Sequence, residues 1–99
     1  MQAWYDASFE REMGCTEAEL QRWLPGAVGP HTLQVHAQSA EVGFDAGRLA
    51  LRWRVLPPRQ IALVRVPRLA VSFDFDGVPE ADRQAFMRHF DLYTQRGGG

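Results

Sequence analysis

The chain has no lysine, no asparagine, one isoleucine and one cysteine, Cys15. A lone cysteine cannot form an internal disulfide, which favours a reducing compartment, and we expect the cytoplasm. No apolar run approaches the roughly 20 residues of a membrane-spanning helix. The N-terminus also lacks the basic cluster and apolar stretch of a secretory signal. These absences predict a soluble cytoplasmic protein that has no membrane partner.

The missing residue types share AT-rich codons, so a GC-rich genome explains their scarcity. Arginine instead of lysine often indicates bidentate recognition of phosphate or carboxylate. In a chain without any lysine, that choice is partly an effect of composition. The arginines therefore have to be interpreted by their positions.

The length and composition predict one folded domain that covers residues 1–99. The chain is 45% hydrophobic and 11% aromatic, which is typical of a packed core and not of a disordered segment. A domain of 99 residues can fold without disulfides or metals. We expect residues 97–99, all glycine, to form a flexible tail.

The charge is unevenly distributed, although the net charge is only −1. Residues 1–45 carry seven acids and two arginines, and residues 74–99 carry five acids and three arginines. Between them, residues 46–73 carry six arginines and no acid. The middle of the chain is thus complementary in charge to both flanks.

The arginine segment alternates with apolar residues, most clearly from Leu49 to Val55. Because successive side chains of a strand point to opposite faces, this pattern predicts a strand with one buried and one solvated face. Pro57-Pro58 cannot continue a central strand, so we expect this strand to end there. Gly47 lies in the preceding hairpin turn, Asp45-Ala46-Gly47, and is able to adopt a positive φ.

Two helices and three further strands are predicted around this strand. Thr16 followed by Glu19 forms a capping box, and Pro25-Gly26 ends the helix that it begins. Pro79 suits the first turn of a second helix. The predicted elements are a helix at 16–24, strands at about 32–44, 48–56, 60–66 and 68–76, and a helix at 79–95. A weak alternation favours an extra N-terminal strand over 3–9.

This order predicts an α+β fold, in which a four-stranded antiparallel meander carries both helices on one face. The order is similar to that of helix-grip domains and of one half of the TATA-binding protein, in which a curved sheet wraps a long C-terminal helix. The resemblance concerns the order of elements and implies a fold only.

Residues that usually perform catalysis or bind metals do not form a set. His31 and His36 are five residues apart, so a continuous strand places them on opposite faces, and no pair has zinc-site spacing. The Asp74-x-Asp76 pair does not begin a calcium loop, because its twelfth position is Ala85 and not Glu. We expect no metal, no cofactor and no enzymatic activity.

We expect a binding or assembly domain that forms a homodimer or binds a protein partner. The candidate anion or partner surface consists of Arg48, Arg52, Arg54, Arg65 and Arg68. The alternative is a small ligand in a cavity between the sheet and the C-terminal helix, with arginines at its mouth. That cavity would be lined by Trp53, Phe86, Phe90 and Tyr93. RNA contact through the arginines is less favoured, because nucleic-acid-binding domains are usually strongly basic.

Overall fold

The computed structural model describes residues 4–95. The order of elements in this range is β1 (Ser8–Met13), α1 (Glu17–Ala27), β2 (Thr32–Val35), β3 (Ser39–Phe44), β4 (Gly47–Ile61), β5 (Val64–Asp76) and α2 (Glu80–Gln95). The strands form one antiparallel sheet in the order β1-β5-β4-β3-β2. The predicted α+β class is confirmed. The predicted tail at 97–99 lies outside the described residues.

Helix α1 begins at the predicted capping box and ends later than expected. The Thr16 side chain accepts a hydrogen bond from the Glu19 backbone, and a Glu19 carboxylate oxygen accepts one from the Thr16 backbone. Pro25 lies inside the last turn, and the helix continues to Ala27. Proline removes only its own N–H, so Val28 can still donate to the Leu24 carbonyl, at 2.9 Å.

The segment predicted as one strand over 32–44 forms two strands. The chain reverses at residues 36–38, where the His36 N–H donates to the Ser39 carbonyl at 2.8 Å. Val35 pairs with Ala40, so β2 folds back onto β3. Strand β3 alternates between buried and more exposed residues, whereas Val35 of β2 is exposed, and a tight turn separates the two strands.

The strands predicted at 48–56, 60–66 and 68–76 form two long strands instead of three. Pro57-Pro58 produces a bulge within β4 and does not end it, since pairing with β5 resumes at Arg59. The reversal occurs at Ala62-Leu63, which divides the predicted strand 60–66 between β4 and β5. Prolines are tolerated here because the strands have no further neighbours at this point.

The N-terminal strand exists but lies further along the chain than 3–9. Strand β1 pairs with β5 from Ser8 to Met13. Tyr5 is fully buried, but its backbone does not join the sheet. Its N–H donates to Gln84 Oε1 at 2.9 Å, and its carbonyl accepts from Gln84 Nε2 at 2.7 Å. An α2 side chain thus takes the backbone hydrogen bonds that a strand would have supplied.

The core lies between one face of the sheet and the two helices. Leu49, Leu51 and Trp53 of β4 are buried, as the alternation predicts. Phe90 of α2 meets Phe73 of β5 edge to face, with 5.3 Å between the ring centroids. Neither α1 nor α2 is long and apolar enough to cross a membrane.

Candidate interaction surface

The arginines of β4 lie on the sheet face that the helices do not cover. Arg48, Arg52 and Arg54 are exposed and alternate with the buried residues of the same strand. Arg48 lies opposite Asp76 of β5, whereas Arg52 lies opposite Ser72. We call this side of the sheet the open face.

Ion pairs on this side involve β1, which the sequence did not place beside the arginines. Glu12 binds both Arg68 and Arg59, the latter at 3.3 Å. Glu10 lies 4.0 Å from Arg54. Each exposed pair contributes less than about 1 kcal/mol. Arg48 and Arg52 form no ion pair with any residue in the range 4–95.

The open face has a shallow cleft of about 120 Å³ near Arg52 and Arg54. Ala70 and Ser72 contribute to its lining, together with Glu10 and Trp53. Binding sites for small organic molecules usually measure roughly 300–1,000 Å³. The cleft therefore suits a few water molecules or a small ion better than an organic ligand.

Strands β4 and β5 extend beyond their neighbours and form a two-stranded arm, residues 56–68. Pairing of β3 with β4 reaches Arg52, and pairing of β1 with β5 reaches Leu69. Beyond these points the two strands pair only with each other. The molecule measures 46 × 29 × 24 Å, an elongation that a projecting arm explains. Arg65 and Arg68, which the sequence grouped with the β4 arginines, belong to this arm.

Three prolines lie at one level of the arm. Leu56 pairs with Arg68 and Arg59 pairs with Val66, so Pro57 and Pro58 lie opposite Pro67. This two-against-one count is a β-bulge. None of the three residues has an N–H to donate, and the Pro57 carbonyl accepts from Arg68 Nε at 2.8 Å. The prolines therefore interrupt the hydrogen-bonding edges of the arm.

The arm ends in exposed apolar side chains. Leu63 is 97% exposed, Val64 is 60% exposed and Ile61 is 55% exposed. Val55, at the base of the arm, is also 60% exposed. Ala62 at the tip has φ +52°, which makes it the one non-glycine residue at positive φ between residues 4 and 95. A clustered apolar tip on a strained turn is unusual for a surface that stays in water.

A groove of about 520 Å³ lies where the arm meets α1. Its apolar lining includes Ala18, Ala37, Val55, Pro67 and Leu69, and the other lining residues are Cys15, Thr16, Glu17, Gln21 and Arg68. Trp53 Nε1 donates to Glu17 Oε2 at 3.1 Å and so holds the Glu17 side chain beside the groove. Burial, with a smaller contribution from Glu19, raises the pKa of the Cys15 thiol to about 11. That thiol stays protonated and unreactive at neutral pH.

The four residues predicted to line a ligand cavity are distributed over the core. Phe86 and Phe90 are buried among other phenylalanines, and the ring centroids of Phe86 and Phe44 are 5.3 Å apart. Tyr93 is half-buried beside Gly26 of α1, and Trp53 reaches α1 through Glu17. Phe86 also contributes to an open groove of about 220 Å³ together with His31, Asp82 and His89.

A buried polar network escaped the sequence analysis. Arg11 of β1 donates to Asp91 of α2, and the Tyr5 hydroxyl donates to the same carboxylate. Desolvation, followed by the hydrogen bond to Asp91, raises the pKa of Tyr5 to about 12. This network joins the N-terminal segment, β1 and α2, so we assign it a structural role. Arg11 and Asp91 also line an open groove of about 210 Å³ at the end of α2.

Among residues 4–95, no group of three or more His, Cys, Asp or Glu side chains has a geometry that could hold a metal. His89 Nε2 lies 2.9 Å from the Gly26 carbonyl oxygen, and the His31 ring packs on Phe44 with centroids 4.2 Å apart.

No protein-family model matches the chain, and no curated protein matches it.

Proposed function

We propose that this chain is a non-enzymatic assembly domain that forms a homodimer through its arm. The supporting observation is the apolar tip, where Leu63 is 97% exposed and is flanked by the exposed Ile61 and Val64. Burying one Val, Leu or Ile side chain is worth about 1.5–3 kcal/mol. Two copies that bury each other's tips gain this contribution twice.

A second copy is favoured over other partners by the charge of the chain. The arm carries Arg59, Arg65 and Arg68 and no acid, whereas the chain outside residues 46–73 has a net charge of −7. The arm of one copy is therefore attracted to the body of another. Because the total is only −1, two copies do not repel each other appreciably.

The prolines favour a closed contact over an open-ended one. An exposed strand edge can add further strands and grow into fibres. In the arm, Pro57 and Pro58 interrupt one edge and Pro67 interrupts the other. The arm can still make contacts through its side chains, and such contacts are compatible with a symmetric dimer.

The test is the mass of the protein in solution, measured by light scattering after size exclusion and by sedimentation equilibrium. We expect the wild type to be a dimer and the Leu63→Ser/Val64→Ser variant to be a monomer. Leu92→Ser is the matched control, because Leu92 is exposed on α2 and does not belong to the arm, and that variant should remain a dimer. A wild type that sediments as a monomer at every concentration up to the millimolar range contradicts the proposal.

We also propose a cytoplasmic location, which is supported by the unpaired and buried Cys15. Free thiols persist in reducing compartments. Fractionation of the native cell, with an antibody against the chain, tests this location. Recovery of the chain with the exported proteins would contradict it.

A further inference from the structure

We infer, on the basis of the proposed dimer, that the tip of each arm binds in the groove at the base of the other arm. In this arrangement Arg65 of one copy pairs with Glu17 of the second copy, and the tip side chains contact the apolar lining of the groove. The contact occurs twice, related by a two-fold axis. Such an isologous contact closes on itself and leaves no free site.

The position of the groove fits this geometry. It lies beside Val55, Pro67 and Leu69, at the base of the arm, whereas the apolar tip lies at the opposite end. About six residues separate the base from the tip, which at roughly 3.3 Å per residue gives an arm about 20 Å long. When two arms lie side by side in opposite directions, each tip reaches the base of the other.

The alternation of β5 places Arg65 on the side of the arm that faces the groove. Arg65, Pro67 and Leu69 occupy every second position of this strand, and Pro67 and Leu69 line the groove. Two arms that pack by this side therefore bring Arg65 of each copy towards the groove of the other.

Arg65 and Glu17 both have charged atoms that can form an ion pair with a second copy. Arg65 is exposed and has no ion-pair partner within residues 4–95, whereas Arg59 and Arg68 share Glu12. Glu17 accepts the indole N–H of Trp53 with Oε2. Its Oε1 atom forms no hydrogen bond with any residue from 4 to 95 and can accept one from a guanidinium group. A carboxylate already held in place loses little side-chain entropy when it pairs.

The size of the contact also matches a specific dimer. The arm has 13 residues and the groove is lined by ten, of which Pro67 and Arg68 belong to both. A stable interface typically uses roughly 20–30 residues from each partner. The arm and the groove together supply about that number without any contribution from the open face.

Charge reversal at both residues tests the assignment. Arg65→Glu places two carboxylates at each contact of its own homodimer, and Glu17→Arg places two guanidinium groups there. We expect each single variant to show a dissociation constant at least about 100-fold higher than that of the wild type. In an equimolar mixture of the two variants both contacts regain opposite charges, so the mixture should form a heterodimer. The double variant should form a homodimer for the same reason.

Two controls separate this contact from general effects. Arg52→Glu changes an exposed arginine of the open face and should leave the dissociation constant within about threefold of the wild-type value. Glu17→Gln keeps an acceptor for Trp53 and should weaken the dimer without the recovery seen in the mixture. Circular dichroism and urea unfolding verify that each variant is folded.

The outcomes distinguish the groove from the dimer itself. If Arg65→Glu and Glu17→Arg remain dimeric while Leu63→Ser/Val64→Ser is monomeric, the groove assignment is wrong and the arm-mediated dimer stands. If the single variants are monomeric but their mixture stays monomeric, Arg65 and Glu17 do not face each other. A monomeric wild type overturns both proposals.

Discussion

Arg11 and Asp91 are 80 residues apart in sequence and form a bidentate ion pair across the interface between β1 and α2, with N···O distances of 2.6 and 3.2 Å. Asp91 is 5% exposed, and the Arg11 guanidinium lies 5.3 Å from the centroid of the Phe73 ring. Aromatic rings attract a cation over their faces, so the arginine is held by its ring neighbours as well as by its carboxylate.

Replacement of Asp91 by alanine should strongly destabilise the fold. The change leaves the Arg11 charge uncompensated and removes the acceptor of the Tyr5 hydroxyl. Loss of one partner of a buried pair costs about 3–5 kcal/mol, and the partial exposure of the Arg11 side chain, 22%, places our expectation at about 2–4 kcal/mol. Urea unfolding followed by tryptophan fluorescence measures this loss. Asp82→Asn, an exposed acid on the same helix, should cost less than about 1 kcal/mol; equal losses for both variants would contradict a specific role of Asp91.

Stability should decrease as the pH rises from about 10 to about 12. The folded-state pKa of Tyr5 is raised from 10.0 to about 12, so folding favours the neutral phenol. A raised folded pKa stabilises the fold fully below the unfolded pKa, and this contribution is lost as the pH passes through the folded value. It is worth about 3 kcal/mol, because each unit of difference between the two pKa values corresponds to roughly 1.4 kcal/mol. The chain has no lysine that titrates in this range, which simplifies the measurement.

Tyr5→Phe is the variant that checks the pH prediction. It removes the titrating hydroxyl and should flatten the dependence of the unfolding free energy on pH above pH 10. The remaining slope belongs to other groups, such as the buried Cys15 thiol, whose pKa is raised to about 11. An unchanged slope in Tyr5→Phe would show that Tyr5 does not set the alkaline limit of stability.

Gly47→Ala should lower the free energy of unfolding by about 1–3 kcal/mol. Gly47 does not use the positive φ that glycine can adopt, since among the glycines of the described range only Gly29 and Gly77 have positive φ. The requirement is spatial: a Cβ at Gly47 would lie 2.4 Å from the Asp76 carbonyl oxygen, and backbone cannot move aside easily. Gly14→Ala is the control, because its Cβ would meet nothing closer than 3.8 Å. Thermal unfolding of both variants measures the difference.

Ala62→Gly should stabilise the tip of the arm. Ala62 has φ +52°, which an L-residue adopts at a cost, whereas glycine adopts it freely. A gain of about 0.5–1 kcal/mol would slow hydrogen exchange of the arm amides about two- to fivefold. Ala46→Gly, at a turn alanine without positive φ, should show no such gain. Faster exchange at the tip in Ala62→Gly would contradict the expected relief of strain.

The sequence predicted those parts of the fold that depend on local pattern. The capping box of Thr16 and Glu19 located the start of α1, and alternation around Trp53 separated its buried face from its solvated face. Boundaries at prolines were less accurate, because the effect of Pro57 depends on the absence of a neighbouring strand and not on the residue itself. Only the sheet order reveals that absence.

The buried network shows what sequence reasoning could have found. Asp91 follows Met87 and Phe90 on the buried stripe of α2, so a carboxylate at that position indicates a buried partner. Arg11 lies on the same face of β1 as Phe9 and Met13, so placing β1 at residues 8–13 would have put a guanidinium on the core side. The strand predicted at residues 3–9 did not include Arg11.

The arm could not be predicted from the sequence, because its extent depends on where β1 and β3 end. Once those ends are known, Leu63 can be assigned to the tip of the arm and Val55 to its base. The five arginines that the sequence grouped into one surface divide into an open-face group and an arm group. Arg52 belongs to the first group and Arg65 to the second.

The three prolines also separate the base of the arm from an outer hairpin of lower stability. Beyond their level, only the pairs Arg59–Val66, Gln60–Arg65 and Ile61–Val64 hold the two strands together. A hairpin of this size is marginally stable in water on its own, so its amides exchange far faster than those of the sheet while the tip stays free. In the proposed dimer, contact with a second copy would slow that exchange. The protection of the tip amides would then depend on protein concentration, and the arm would report the association state of the molecule.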